Sequence, residues 1–231
     1  IYFMPIDKTL SKIISQYNNG TYLETGFFLG ESALIALKLG FKKVISIEYN
    51  EEFVNKGKFR FQEYIKNKKL EIIKEDSGKI IETILVNNPD ITVIFLDALH
   101  YVEDEDISAP LEKELAIIKK FNERNFFLII DDFYQIKNNF KLKENNWRKK
   151  HNYKKIIKIV NDIFGSSSEI YYRYGKKYNG NINSYLISKK VNILWLVYNK
   201  INNLFLSFII TQYVKSKILM VPIIKKLLGI N

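Results

Sequence analysis

Acidic residues close a succession of apolar runs in this chain. Glu24 follows Tyr22-Leu23, Glu48 ends Val44-Ile45-Ser46-Ile47-Glu48, Asp76 follows Leu70-Glu71-Ile72-Ile73-Lys74-Glu75, Asp97 follows Ile94-Phe95-Leu96, and Asp131-Asp132 follows Phe127-Leu128-Ile129-Ile130. Between the first two lies Gly26-Phe27-Phe28-Leu29-Gly30-Glu31-Ser32. Glycines let a backbone turn with positive φ and approach a ligand closely, and the amides at the start of the following helix face that ligand. A carboxylate at the tip of the next strand, here Glu48, accepts hydrogen bonds from a ribose diol. The layout is that of a nucleoside site. The spacing G-x-x-x-G lacks the third glycine of the dinucleotide fingerprint, which makes NAD or FAD the weaker expectation.

A second group of residues suits a different task. Strands at ~4.8 Å spacing bring their C-terminal tips together, and in open α/β sheets that edge carries the ligand. Asp97, Asp131 and Asp132 would meet there, and three carboxylates suit a hard cation such as Mg²⁺. His100 follows Asp97 in Asp97-Ala98-Leu99-His100-Tyr101 and is the candidate general base, ahead of His151, because imidazole titrates near neutrality. Tyr101 and Tyr134 are the fallback bases. The acidic run Val102-Glu103-Asp104-Glu105-Asp106 reads as a solvated loop before a helix, and it would repel phosphates from the rim of the site.

The elements that must hold these residues follow from periodicity. Apolar runs of strand length alternate with amphipathic stretches of helical length, which argues for parallel βαβ units covered on both faces. Strands are expected near 21–25, 43–48, 70–74, 92–97 and 126–131, with helices near 31–39, 51–66, 77–86 and 109–123. Asn50 before Glu51-Glu52, and Asp76-Ser77, are side-chain caps for two of those helices. A Lys/Asn-rich helical segment ends near Phe164, and Ser168–Tyr174 with Ile182–Ser188 flank Gly175 and Gly180 as a β-hairpin.

Glu24-Thr25-Gly26-Phe27-Phe28-Leu29-Gly30 resembles motif I of the class I S-adenosylmethionine-dependent methyltransferases, and the acidic strand ends follow in that family's order over roughly residues 20–135. The likeness extends to the catechol and macrocin O-methyltransferase-like members, whose fifth strand also ends in an acidic pair. It implies a Rossmann-like α/β domain with a seven-stranded sheet in the order 3-2-1-4-5-7-6, spanning residues 1–190. It also implies S-adenosylmethionine as cofactor. Glu24, Gly26 and Gly30, flanked by Glu31 and Ser32, would shape the methionine pocket; Glu48, beside Tyr49, would hold the ribose; Asp76 and Ser77 would border the adenine. Carried over in the same way, Asp97, Asp131 and Asp132 become Mg²⁺ ligands, and Asp97 and His100 become catalytic in methylation of a sugar, glycan or small hydroxylated metabolite. Relatives often read L-D-A/G-H-Y after the fourth strand, so Leu99 looks inserted here. The N/D-P-P-Y/F signature of nucleobase methylation is absent, which leaves ribose methylation of RNA as an alternative, beside a non-catalytic module that docks to membrane or polymer.

At 231 residues, with 47% hydrophobic and 26% charged residues, the chain has the composition of one globular α/β domain. It has no cysteine, which excludes disulfides, thiolate metal sites and cysteine nucleophiles. The net charge of +11 is uneven: residues 1–136 hold 17 Lys+Arg against 22 Asp+Glu, and residues 137–231 hold 19 against 3. Such a basic segment fits an anionic partner, either a membrane surface or nucleic acid. Residues 191–231 read as a basic amphipathic helical extension, too interrupted to span a bilayer. They can lie on a membrane, pack on the sheet or join a homodimer. The expected location is cytoplasmic, with peripheral membrane contact through that extension.

Overall fold

A computed structural model describes residues 6–98, 110–131, 133, 152–165, 168–178 and 181–190. Seven strands form one sheet in the order β3-β2-β1-β4-β5-β7-β6. They are β1 (Thr21–Thr25), β2 (Lys43–Glu48), β3 (Leu70–Lys74), β4 (Ile91–Leu96), β5 (Phe127–Ile130), β6 (Ser168–Tyr178) and β7 (Asn181–Lys190). The first five are parallel, and β7 runs antiparallel between β5 and β6. The expected topology is therefore the observed one.

The helices are α1 (Lys8–Ile14), α2 (Glu31–Lys38), α3 (Glu51–Arg60), α4 (Gln62–Lys66), α5 (Ser77–Asn87), α6 (Leu111–Lys119) and α7 (Tyr153–Phe164). Local chemistry starts several of them. The Asp7 side chain accepts from the Thr9 and Leu10 amides, Asn50 from Glu52, Asp76 from Gly78 and Asn152 from Lys155. Each satisfies a donor that the first turn leaves unpaired. The helix expected over 51–66 is two helices: Phe61 leaves helical geometry (φ −111, ψ 21) and its ring is buried beside Phe27 at 5.7 Å between centroids. Core packing outweighs continuity of the helical bonds there. α6 is shorter than the expected 109–123, and β4 and β5 stop before their aspartates. Asp97 and Asp131 thus stand just beyond the strand ends.

Strand alternation sorts the core into two layers. On one face Tyr22, Val44, Val93, Phe95, Phe127 and Ile129 pack with residues of α1, α2 and α3. On the other, Leu23, Ile45, Ile47, Ile94, Leu96, Leu128 and Ile130 pack with α5, α6 and α7. Every residue of β1 is buried, as expected of a central parallel strand covered twice. Glu24 therefore points into protein, and its neighbours decide what it can do.

Candidate functional site

The turn after β1 is built on two glycines in left-handed conformation, Gly26 (φ +86) and Gly30 (φ +76). Neither can carry a side chain. A Cβ on Gly26 would lie 2.8 Å from the Asp97 carbonyl oxygen, and one on Gly30 would lie 2.5 Å from the Phe27 ring. Gly26 thus lets the end of β1 lie directly against the segment leaving β4. The Gly26 amide donates to the Ile47 carbonyl at 2.9 Å, and the Asp97 amide donates to the Thr25 carbonyl at 3.0 Å. These bonds carry the ladder one residue past each strand and align the three tips.

Glu48 stands at the end of β2, on the same edge. Its Oε2 accepts from the Phe28 amide and its Oε1 from the Asn50 amide, each at 2.8 Å. Phe28 holds φ +48, a conformation unusual for a bulky residue. That conformation goes with an amide aimed at Glu48 and a ring packed edge-on to Phe53 at 4.7 Å. The glycine turn and the β2–α3 turn are therefore tied through one carboxylate. A carboxylate has about four lone-pair sites, and the Phe28 and Asn50 amides take two of them here. Glu31 opens α2 and pairs with Arg60 at 2.7 Å; the same guanidinium donates to the Leu29 carbonyl at 2.6 Å. Tyr49 is partly exposed, with the Lys74 ammonium 5.9 Å from its ring centre.

Beneath the turn lies Glu24, with no solvent exposure. Register places it opposite Ser46, whose hydroxyl donates to Glu24 Oε1 at 2.7 Å, while Oε2 makes no hydrogen bond. Desolvation raises this carboxyl to about 7, against the opposing pull of the Ser32, Ser46 and Tyr22 hydroxyls. Ser32 is buried in the first turn of α2. Glu24 is thus a fully buried carboxyl beneath the glycine turn. Asp76 caps α5 with the oxygen that accepts from Gly78 at 2.9 Å, and Ser77 is buried as the first residue of that helix. They stand at the β3 end of the same edge.

On the other side, Asp97 and Asp131 are neighbours. Continuing the β4–β5 register from Leu96↔Ile130 sets one opposite the other, and the Asp131 amide donates to the Leu96 carbonyl at 3.0 Å. By strand parity both belong to the layer that holds Tyr22 and Glu24. The Tyr22 phenol reports the convergence: burial pushes it well above its usual range, and charge on Glu24, Asp97 and Asp131 pushes it further. Tyr22 was no sequence-level candidate, and a phenol in mid-strand gave no chemical signal.

Oxygen donors on adjacent strand tips fit a hard cation, and Asp97 and Asp131 supply two of the three expected. Asp132 lies outside the described residues, as do His100, Tyr101, the 102–106 acidic run, Tyr134, His151 and the 191–231 extension. Among the described residues no group of three or more metal-ligating side chains occurs, and no helix is long and apolar enough to cross a membrane.

No protein-family model matches the sequence, and no curated protein matches it. Solved structures do resemble its fold. An O-methyltransferase from Bacillus cereus in complex with S-adenosylhomocysteine superposes with TM-score 0.56 at 12% identity, over 80% of this chain and 82% of that one. The O-methyltransferase TomG from Streptomyces achromogenes, involved in tomaymycin synthesis and solved with S-adenosylmethionine, gives 0.52 at 12% identity, over 80% and 79%. The S-adenosylhomocysteine-bound methyltransferase PaMTH1 from Podospora anserina gives 0.51 at 12% identity, over 81% of each chain. The fold is that of the class I methyltransferases.

Proposed function

We propose that this chain is an S-adenosylmethionine-dependent O-methyltransferase acting on a hydroxyl of a sugar, glycan or small metabolite, with a divalent cation held by Asp97, Asp131 and Asp132. The observation that carries the reading is the convergence of Glu24, Glu48, Asp97 and Asp131 on one edge of a sheet whose fold is shared with structures holding that cofactor or its product. Glu48 accepts from the ribose, the Gly26–Gly30 turn faces the methionine moiety, and Asp76 with Ser77 borders the adenine.

Methyl transfer from a sulfonium is an in-line displacement. The acceptor oxygen bonds to the methyl carbon as the carbon–sulfur bond breaks, leaving a neutral thioether, and the hydroxyl proton must leave. Alignment supplies most of what the enzyme can add, and His100 is the group assigned to take the proton. A cation at the aspartates would lower the hydroxyl pKa and orient it. This chain's own contribution is a rigid edge: the strand-tip amide bonds fix Asp97 and Asp131 relative to the turn that holds the donor.

The test is methyl release from radiolabelled S-adenosylmethionine against a panel of sugars and phenols, with and without EDTA. Transfer that stops with EDTA and returns with Mg²⁺ supports the whole reading. Transfer indifferent to chelation removes the cation, and no transfer to any hydroxyl removes the acceptor class. The 19-to-3 cationic excess of residues 137–231 supports peripheral contact with an anionic membrane. Flotation with anionic but not neutral liposomes is the expected result, and tight salt-sensitive RNA binding instead would favour the ribose methyltransferase.

A further inference from the structure

A second buried carboxyl lies on the opposite face of the sheet from Glu24 and has no part in the chemistry above. Glu114, in α6, has no solvent exposure, and neither of its carboxyl oxygens makes a hydrogen bond. Its surroundings are specific. The Ser77 hydroxyl, at the start of α5, and the Thr25 hydroxyl, at the end of β1, are the polar groups beside it. The Thr25 oxygen in turn lies 3.4 Å from both the Asp97 and Ala98 amides. Glu114 therefore sits where the adenine side of the edge, the glycine turn and the end of β4 meet.

Among the described residues no charged neighbour compensates it. Asp76, on the α5 side, adds like charge. Lys113, on its own helix, runs its side chain past Gly78. Glu112 is paired with Lys155 of α7, Lys119 with Asp162 of α7, and Lys120 with Glu82 of α5. From β1 the Thr25 hydroxyl stands beside it. A buried carboxylate in that setting must draw in water or a partner, and burial accordingly raises this group to about 7. The protonated form is different, because it can donate one hydrogen bond and accept others.

We propose that Glu114, in its neutral form, is a positioning residue of the adenosine site, joining Ser77 at the start of α5 to Thr25 at the end of β1. Ionisation forces solvation of the junction and loosens the floor beneath both the adenine and the glycine turn. The inference rests on the cofactor reading above, and it adds a residue and a pH dependence which that reading does not require.

The test is calorimetric titration with S-adenosylhomocysteine, whose lack of a sulfonium removes charge steering, on the full chain and on Glu114→Gln at pH 6 and 8.5. If only the neutral form binds well, the affinity of the unmodified chain falls about thirty-fold between the two pH values, following the neutral fraction. Glu114→Gln matches it at pH 6 and binds at least about ten-fold tighter than it at pH 8.5. Glu24, also near 7, contributes to both profiles, so the difference between them isolates Glu114. Glu114→Ala, which cannot bridge the hydroxyls, binds more weakly than Glu114→Gln at both pH values. A flat profile for the unmodified chain, parallel profiles for the two proteins, or equal weakening by Gln and Ala overturns the inference while leaving the cofactor reading standing. No binding at either pH overturns the cofactor reading itself, and this inference with it.

Discussion

The two halves of the sheet edge are held in different ways. On the β1–β2–β3 side the carboxylates already serve the protein: Glu48 ties two turns through amides, Asp76 caps a helix and Glu24 accepts from Ser46 under the glycine turn. On the β4–β5 side Asp97 and Asp131 are placed by main-chain bonds that continue the ladder. The first half is preorganised through side chains and should fail in binding when they change. The second is aligned by backbone bonds at its strand tips, and changes to its side chains should show chiefly in turnover.

The largest expected effect tests that division. Asp97→Asn should lower methyl transfer by about 10²–10⁴, the usual weight of a lost acid, base or metal-orienting group, and leave S-adenosylhomocysteine affinity within a few-fold. Equal losses in both, read by calorimetry beside a turnover assay, would merge the halves. Next is Gly26→Ala, which combines left-handed strain with a Cβ at 2.8 Å from the Asp97 carbonyl oxygen. It should lose roughly 2–4 kcal/mol in urea unfolding. Gly40→Ala, equally left-handed (φ +84) but 3.5 Å from its nearest neighbour, should lose only about 1 kcal/mol. A matching loss at both positions would show that contact between the halves through Gly26 contributes nothing.

Glu24→Gln sharpens the comparison through pH. A carboxyl raised from 4.5 to about 7 on folding stays protonated while its unfolded counterpart ionises. Stability is therefore full below pH 4.5 and declines as pH rises to 7. Removing the titration should take away Glu24's share of that decline, leaving the share from Glu114, and raise stability above pH 7 by roughly 2–3 kcal/mol, measured as unfolding free energy from pH 4 to 8. The smallest effect belongs to Arg60→Ala, which removes a partly exposed ion pair and the bond to the Leu29 carbonyl. It should cost about 1 kcal/mol and weaken cofactor binding a few-fold, with turnover at saturation unchanged.

Much of this organisation is written in the sequence. β1, β2 and β3 have the expected bounds because each is an apolar run closed by turn residues, and Asn50 and Asp76 cap as their spacing implies. α1 was missed although Asp7 precedes Leu10, Ile13 and Ile14 at helical spacing; the stretch is only seven residues, too short for periodicity to stand out. The break at Phe61 depends on a ring finding Phe27 across the fold, which local pattern does not encode. Glu114 was legible in principle. Leu111, Glu114, Leu115 and Ile118 form one i, i+3, i+4, i+7 stripe, and a Glu in that stripe must be buried. Its neighbours Glu112 and Lys113 disguise it as part of a solvated face.

The most direct measurement of the central claim is calorimetric titration of S-adenosylhomocysteine into the unmodified chain and into Glu48→Ala at pH 6, with circular dichroism showing both folded. The account predicts one site per chain for the unmodified protein and a loss of affinity of about 30-fold or more in the variant, from the ribose contacts and from release of the two turns that Glu48 joins. Unchanged affinity in Glu48→Ala, or no binding to the unmodified chain, would contradict it.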